Sequence, residues 1–374
     1  MLASMVWLLK PPPWVLSWLR KGSVGLTLGA YVAAFISPGS FWPSGFVALT
    51  IPFFLILQLF LAIYWLFSQY LKASLHTLAV LLGLPFLYST VQYSVNKVPD
   101  KNSFTVLSYN VRVFNAYDYL GGEKSLKTAQ MINWLAQHPA DIKCLQEFYY
   151  LPGSKVFNTL QRIAEAGKYQ WVTVPSQQKD RQKPTFGAAI FSKLPIVKHG
   201  ILPLGKQPHH KGLYADVLKN NDTIRIINVH LQSMSIDEEN LFGSEGHTKQ
   251  AQQERLWELF YRLKKGFIQR AKQVAILDEF IRQSPHPIIL CGDLNDVPYS
   301  FTYTTLKQNL HNAFEAKGSG FGFTFRGKQL FFLRIDHQFF SPKRLSIQRF
   351  KTLQEIAFSD HYPIEGVYAL EAIN

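Results

Sequence analysis

Pro287-Ile288-Ile289-Leu290-Cys291-Gly292-Asp293-Leu294-Asn295 opens as an unbroken apolar run and ends in a glycine, a carboxylate and an amide. A short apolar run bounded by turn formers reads as a strand buried on both faces, here over 287–292. Taken alone, Asp293 after Gly292 is an ordinary turn residue. The same ending recurs along the chain, however. Asn110 and Arg112 follow a predicted strand at 104–109, Glu147 follows 141–146 and His230 follows 223–229. Asp336 lies in 333–340, and Asp360 with His361 precedes 363–369. Further strands are predicted at 169–174, 186–191 and 213–218, with Asn220-Asn221-Asp222 turning a hairpin, since Asn and Asp tolerate left-handed backbone. Helical periodicity covers 124–137, 153–166 and about 250–283. In the last, Leu256, Phe260, Leu263, Phe267, Ala271, Val274 and Ile281 recur at three- and four-residue steps and are expected to pack as core. Strands alternating with helices predict an α/β fold, in which loops at strand ends converge on one cleft.

The residue types gathered at those ends are carboxylates, histidines and asparagines, with no serine or cysteine nucleophile placed beside a histidine. Such a set suits a hard cation: Mg²⁺ takes oxygen ligands, whereas zinc favours more nitrogen or sulfur. Phosphodiester hydrolysis needs an activated water, charge neutralisation at the phosphoryl oxygens and a proton for the leaving group, all within reach of these groups. No glycine-rich phosphate loop, internal repeat or heptad pattern is present. The two cysteines, Cys144 and Cys291, each sit in an apolar run, which excludes a disulfide-stapled scaffold and predicts buried strand thiols.

Ser108-Tyr109-Asn110-Val111-Arg112, Gln146-Glu147, Asn228-Val229-His230-Leu231, Gly292-Asp293-Leu294-Asn295, Arg334-Ile335-Asp336 and Ser359-Asp360-His361 resemble, in order and spacing, the motifs of the endonuclease/exonuclease/phosphatase family. That group contains deoxyribonuclease I, abasic-site endonucleases, inositol-phosphate phosphatases and neutral sphingomyelinases, and the likeness covers about residues 103–370. It implies a two-sheet α/β sandwich, deoxyribonuclease I-like, and a divalent-metal-dependent phosphoesterase that cleaves phosphodiester or phosphomonoester bonds with a metal-activated water. The cofactor implied is Mg²⁺, with Mn²⁺ as the alternative. Metal ligation falls to Glu147, Asn110 and Asp360. Catalytic roles fall to Asp293 on the attacking water, Asn295 on a phosphoryl oxygen, His361 on the phosphate with Asp336 orienting it, and His230 as proton donor. Asn110, Arg112, Asn295 and His361 are the implied phosphate contacts. Thr324-Phe325-Arg326 falls where the family carries a Thr-aromatic pair lining the cleft. Lys143 departs from the pattern, interrupting a strand the family keeps apolar, which suggests an edge position or a snorkelling side chain. The rival reading is a non-catalytic binding or signalling protein that keeps the fold; degenerate members lose a metal carboxylate or the last histidine, and Glu147, Asp293 and His361 are all in place.

Charge is distributed unevenly. Before Lys97 the only charged residues are Lys10, Arg20, Lys21 and Lys72, so all 25 acidic residues and all but four of the 39 basic ones lie beyond that point. The excess of positive charge there favours anionic partners, either nucleic acid or a phospholipid or sphingolipid headgroup. Lys179-Asp180-Arg181-Gln182-Lys183 and Lys343-Arg344 are the stretches a nuclease would use to track a phosphate backbone. Apolar stretches at about 22–37, 46–67 and 73–92 predict a transmembrane anchor of two to three helices within 1–96, then a linker over 97–102 and a catalytic domain over 103–374. No protein partner is evident from the sequence; the bilayer is the partner expected of the anchor. Positive residues flanking the spans place the N-terminus in the cytoplasm and, with three spans, the catalytic domain outside a bacterial inner membrane.

Overall fold

The computed structural model describes residues 12–94, 98–100, 102–121, 126–173, 184–205, 212–234 and 249–371. Among these, four helices precede the first long strand: Pro13–Ala33 (α1), Pro43–Leu49 (α2), Ile51–Ser68 (α3) and Tyr70–Thr90 (α4). The span expected at 46–67 is broken at Thr50, which ends α2 and caps α3. Pro52 explains the break, because in a continuous helix its ring would meet the carbonyl of residue 48 and its missing N–H would leave that carbonyl unpaired. The span expected at 22–37 instead begins at Pro13 and stops at Ala33, and that expected at 73–92 is shifted to 70–90. α3 and the Leu71–Thr90 part of α4 are long and apolar enough to cross a membrane; α1, interrupted by Arg20 and Lys21, does not reach that standard. Their outer faces expose Phe53, Phe60, Phe67 and Leu71, while Thr27, Gln58 and His76 are buried between them. Gln58 Nε2 donates to Thr27 Oγ1 at 2.7 Å, and its Oε1 lies 2.6 Å from His76 Nδ1. The same interior also holds an apolar cluster that includes Ala30, Tyr31, Ile51 and Phe86, so the helices are apolar both inside and on their outer faces.

Among the described residues, twelve strands form two six-stranded sheets, and Gln92–Tyr93 pairs separately with Ser319–Gly320. The first takes Phe104–Asn110 (β1), Ile142–Tyr150 (β2), Gln170–Thr173 (β3) and Thr185–Ser192 (β4), and the second takes Ile196–Leu202 (β5), Gly212–Lys219 (β6), Asp222–His230 (β7) and Ile288–Asp293 (β8). His311–Asn312 (β9) and Asp336–Phe340 (β10) extend the second sheet; Leu345–Thr352 (β11) and Ile364–Leu370 (β12) extend the first. The orders are β11-β12-β1-β2-β4-β3 and β9-β10-β8-β7-β6-β5. Each sheet holds one parallel pair at its centre, β1 with β2 and β7 with β8. The sheets face each other across a core that includes Val106, Cys144, Ile190, Ile226, Cys291 and Tyr368. Both cysteines are free and fully buried, as expected, and burial beside Cys144 pushes the Cys291 thiol up.

Leu126–Gln137 (α5) and Thr159–Gly167 (α6) cover the outer face of the first sheet, burying Met131, Leu135 and Ile163 against Leu107, Leu145 and Phe191. Lys249–Arg282 (α7) covers the second, burying Val274 and Leu277 against Ile227, Val229 and Leu290. Strands covered on both faces must be apolar throughout, which is why the central ones were legible. β5 and β11 were not anticipated. They are edge strands carrying Lys198, His199, Arg349 and Lys351, and charge on an edge hides the strand from an apolar pattern. Residues 333–335, expected as strand, lie before β10. Lys143 is not on an edge: β2 lies between β1 and β4, and the ammonium is buried, donating to the Leu135 carbonyl at the end of α5 and lying 4.4 Å from the Tyr169 ring centre. The stripe on α7 is core only in its second half; Phe267, Ala271, Val274 and Ile281 are buried, whereas Leu256 is exposed. The stretch 179–183 lies outside the described residues.

Candidate active site

Parallel pairing brings the C-terminal ends of β1, β7 and β8 and the middle of β2 to one edge of the sandwich. Asn110 closes β1 opposite Gln146, and His230 closes β7 opposite Asp293 at the end of β8. Glu147 follows Gln146 on a bulge, where the register of β2 against β4 shifts between Leu145 and Phe148 and φ of Glu147 is 49°. A bulge with left-handed backbone re-aims a side chain that simple alternation would send elsewhere. The bulge is fastened from both sheets. Gln146 Nε2 donates to Asn228 Oδ1 at 2.7 Å and Ser108 Oγ at 3.1 Å, while Asn228 Nδ2 donates to the Leu145 and Ala189 carbonyls, each at 2.9 Å. At Gly292, φ is 153° and a Cβ would stand 2.0 Å from the Val229 carbonyl oxygen, so only glycine lets β8 pass β7 there.

Asp293 is the hub. Asn110 Nδ2 donates to its Oδ2 at 3.0 Å and to Glu147 Oε1 at 3.2 Å. His230 Nε2 lies 3.6 Å from Asp293 and 3.8 Å from Glu147. His361 Nδ1 is 2.8 Å from Asp336 Oδ2, and its Nε2 is 3.8 Å from Asp293. Asp336 is placed by Thr324, whose hydroxyl accepts from the backbone N–H groups of Ile335 and Asp336; the Phe325 ring meets the His361 ring edge-on. The Thr-aromatic pair therefore aims the histidine and its carboxylate. Asn295, at φ 51°, presents its backbone N–H to Asp293 Oδ1 at 2.8 Å.

Burial works against charging His361, but Asp336 and Asp293 outweigh it and hold the imidazole well above its ordinary pKa. Burial raises Asp293; His361 pulls it back down and Asp336 adds to the rise. His361, Asp336 and Asp293 offer atoms within 4.8 Å of one another, but that trio already contains its own cation. Glu147 differs: it faces the cleft a quarter exposed, and Asn110 is its hydrogen-bond partner. Glu147, with Asp293 adjoining, offers the hard oxygens that suit a divalent ion of the Mg²⁺ type, while Asn110 turns its Nδ2 to both carboxylates and its Oδ1 accepts from the Arg112 N–H. The cleft encloses about 210 Å³ and is lined by Glu147, His230, Asp293, Asn295, Asp360 and His361.

The structure gathers eight of the sequence-predicted residues: Asn110, Glu147, His230, Asp293, Asn295, Asp336, Asp360 and His361. Arg112 stands at the rim, half-exposed, its guanidinium 3.5 Å from Asp360 and 3.3 Å from Asp118. Sequence reading gave no role to Asn228, Gln146, Asp296 or Arg270. Arg270 is fully buried, donating to Asp296 at 3.0 Å and to the Gln232 carbonyl at 3.0 Å, which ties α7 to the segment leaving His230. Its signal was present: it falls between Phe267 and Val274 on the buried stripe, where an arginine demands a buried acid.

Comparison with known proteins agrees with this architecture. Solved structures similar to the chain include an endonuclease/exonuclease/phosphatase from Bacteroides vulgatus, 16% identical, covering 72% of this chain and 100% of that one at a TM-score of 0.51. A family protein from Bacteroides thetaiotaomicron is 19% identical over 74% of this chain and 100% of its own, also at 0.51. Humanized D. rerio TDP2 is 15% identical over 72% and 100%, again at 0.51. At these identities the likeness speaks to fold. No curated protein matches the chain. Residues 13–90 match a domain of unknown function, DUF8431. The model of the Endonuclease/Exonuclease/phosphatase family matches residues 107–361, from β1 to the last histidine of the cleft, and the chain belongs to that family of phosphoester hydrolases.

Proposed function

We propose that this chain is a membrane-anchored, divalent-metal-dependent phosphoesterase. The observation that carries the reading is the convergence of Asn110, Glu147, His230 and His361 around the buried carboxylate of Asp293. Glu147 would hold the metal, with Asn110 beside it contacting metal-bound water or phosphate and Asp360 serving a second position from the rim. A divalent ion there supplies charge neutralisation at the phosphoryl oxygens and acidifies water. Asp293 positions the attacking water and takes its proton. His361, charged and fixed through Nδ1 by Asp336, presents Nε2 to a phosphoryl oxygen, and Asn295 and Arg112 add donors as charge builds. His230 Nε2 is buried without a hydrogen-bond partner and is placed to protonate the leaving oxygen.

The helices support an orientation. α1 ends against the catalytic domain, where Thr304 Oγ1 donates to the Ala34 carbonyl, and α4 ends there too, with Ser89 Oγ donating to the Glu315 carboxylate at 2.7 Å. Arg20 and Lys21 in the first half of α1, and Lys72 in the first turn of α4, therefore sit toward the opposite end. Positive charge marks the cytoplasmic side, so the catalytic domain faces outward.

The test is hydrolysis of phosphodiester and phosphomonoester substrates by the full-length protein with Mg²⁺, with Mn²⁺ and with chelator. Glu147→Gln and His361→Ala should each lower turnover by roughly 10²-fold or more. Turnover that survives both chelation and Glu147→Gln would refute the metal site.

A further inference from the structure

We infer that the substrate is a phospholipid-type phosphodiester taken directly from the bilayer surface, an inference that rests on the phosphoesterase reading above. The first observation is the segment Leu333-Arg334-Ile335. Leu333 and Ile335 line the cleft. Arg334, between them, is buried on the other face, donating to the Ser89 carbonyl in the last turn of α4, with its guanidinium 3.7 Å from the Phe314 ring centre. Alternation along an extended segment makes one wall of the cleft, on its reverse side, the docking point of a membrane-type helix.

The opposite wall is tied to the same end of the anchor. Met234 lines the cleft just beyond Gln232, which Arg270 of α7 holds. α7 in turn packs on α2: Phe260 stacks on Phe46 with centroids 5.0 Å apart, Phe267 meets Phe46 edge-on at 5.2 Å, and Trp42 meets Phe260 at 5.6 Å. The cleft is thus bracketed by two elements that both rest on the domain-facing end of the helices.

Apolar side chains stand exposed along that boundary. Phe331 and Phe332, on the loop entering Leu333, are 58% and 50% exposed; Leu256, Trp257 and Tyr261 on the outer half of α7 are exposed to a similar degree. Lys264 lies 4.5 Å from the Trp42 ring centre. Aromatic residues interleaved with cations at the end of apolar helices are the composition of a membrane–water interface. Beyond the catalytic groups, the cleft wall is Ser233 with five apolar residues, Met234, Phe325, Leu330, Leu333 and Ile335. That lining suits a lipid near its headgroup better than a sugar–phosphate backbone. Arg344, expected to track such a backbone, pairs with Asp222 at the start of β7, about 27 Å from His230 at its end.

In the reaction, the water oxygen bonds to phosphorus, the bond from phosphorus to the lipid alcohol breaks, and that oxygen receives a proton from His230. Water gives its own proton to Asp293, so the products are a phosphorylated headgroup and a lipid alcohol, with no change of oxidation state.

The experiment uses the full-length protein reconstituted in vesicles of mixed zwitterionic and anionic phospholipid with sphingolipid. Release of phosphorylated headgroup is compared with cleavage of a single-stranded oligonucleotide and of bis(p-nitrophenyl) phosphate. The double variant Phe331→Ser/Phe332→Ser should lose tenfold or more on the vesicle lipid. It should keep its rate on the soluble diester, which also shows it folded. Oligonucleotide cleavage without headgroup release, or equal lipid turnover by the variant, overturns the inference while leaving a phosphoesterase. Failure on the soluble diester by the unmodified protein removes the activity itself and the inference with it.

Discussion

Lys143 shows how much a single side chain in this sandwich is governed by burial. Burial, reinforced by Lys193, brings its pKa down to about 7, whereas in the unfolded chain it is near 10.5. Between those values the unfolded state binds more protons, so this lysine makes stability rise with pH from about 7 toward 10.5 and acts against folding below that window. Replacing it with methionine is expected to raise stability at pH 7 by about 1–4 kcal/mol and to flatten the pH dependence over the window, as read by denaturant unfolding at several pH values. A lower stability for Lys143→Met would mean that its bond to Leu135 outweighs the desolvation. Asn228 is the opposite case, a buried polar residue with all its bonds made. Asn228→Leu removes the shortest of the bonds made by Gln146 Nε2 and the side-chain donor to the Leu145 and Ala189 carbonyls at the base of the Glu147 bulge, a cost of roughly 1–3 kcal/mol for each buried group left without a partner. Turnover should fall more than substrate affinity, and a variant with normal kcat would show that the bulge holds without it.

At the scale of the element, β8 is limited by its contact with β7. Gly292→Ala places a methyl group on the Val229 carbonyl in a backbone region closed to L side chains, and should destabilise by about 3 kcal/mol or more. Thermal unfolding checks this, and an unchanged midpoint would mean that the strands can part. The other predictable element is α2, which exists as a separate helix because Pro52 stops it joining α3. Its short length places Phe46 against Phe260 and Phe267 of α7, and thereby fixes the long helix that backs the cleft. Sequence periodicity identified α7 over almost its full length and misjudged its first half as core, because an apolar face left exposed and one toward a protein interior carry the same spacing.

For the whole molecule, a bound divalent cation should raise the unfolding midpoint, since a ligand at a hundred times its dissociation constant adds about 2.7 kcal/mol. Chelation or Glu147→Gln should abolish that increment in a thermal scan with and without Mg²⁺; an equal increment in the variant would place the ion elsewhere. A reporter fused after Asn374 should be active only outside the cytoplasm, and cytoplasmic activity would invert the topology. The sequence alone determined the α/β class, the family, the set of polar residues at the strand ends and the apolar character of the first ninety residues. These properties are local, because each is written in a short run of adjacent side chains. Only the tertiary structure decided that Glu147 points into the cleft, that Asn228 and Arg270 brace it, that Lys143 is central, and that Arg334 joins the cleft wall to the end of α4. Each of those depends on pairs far apart in the chain, and a buried charge or a bulge acquires its role only from the partner that folding brings to it.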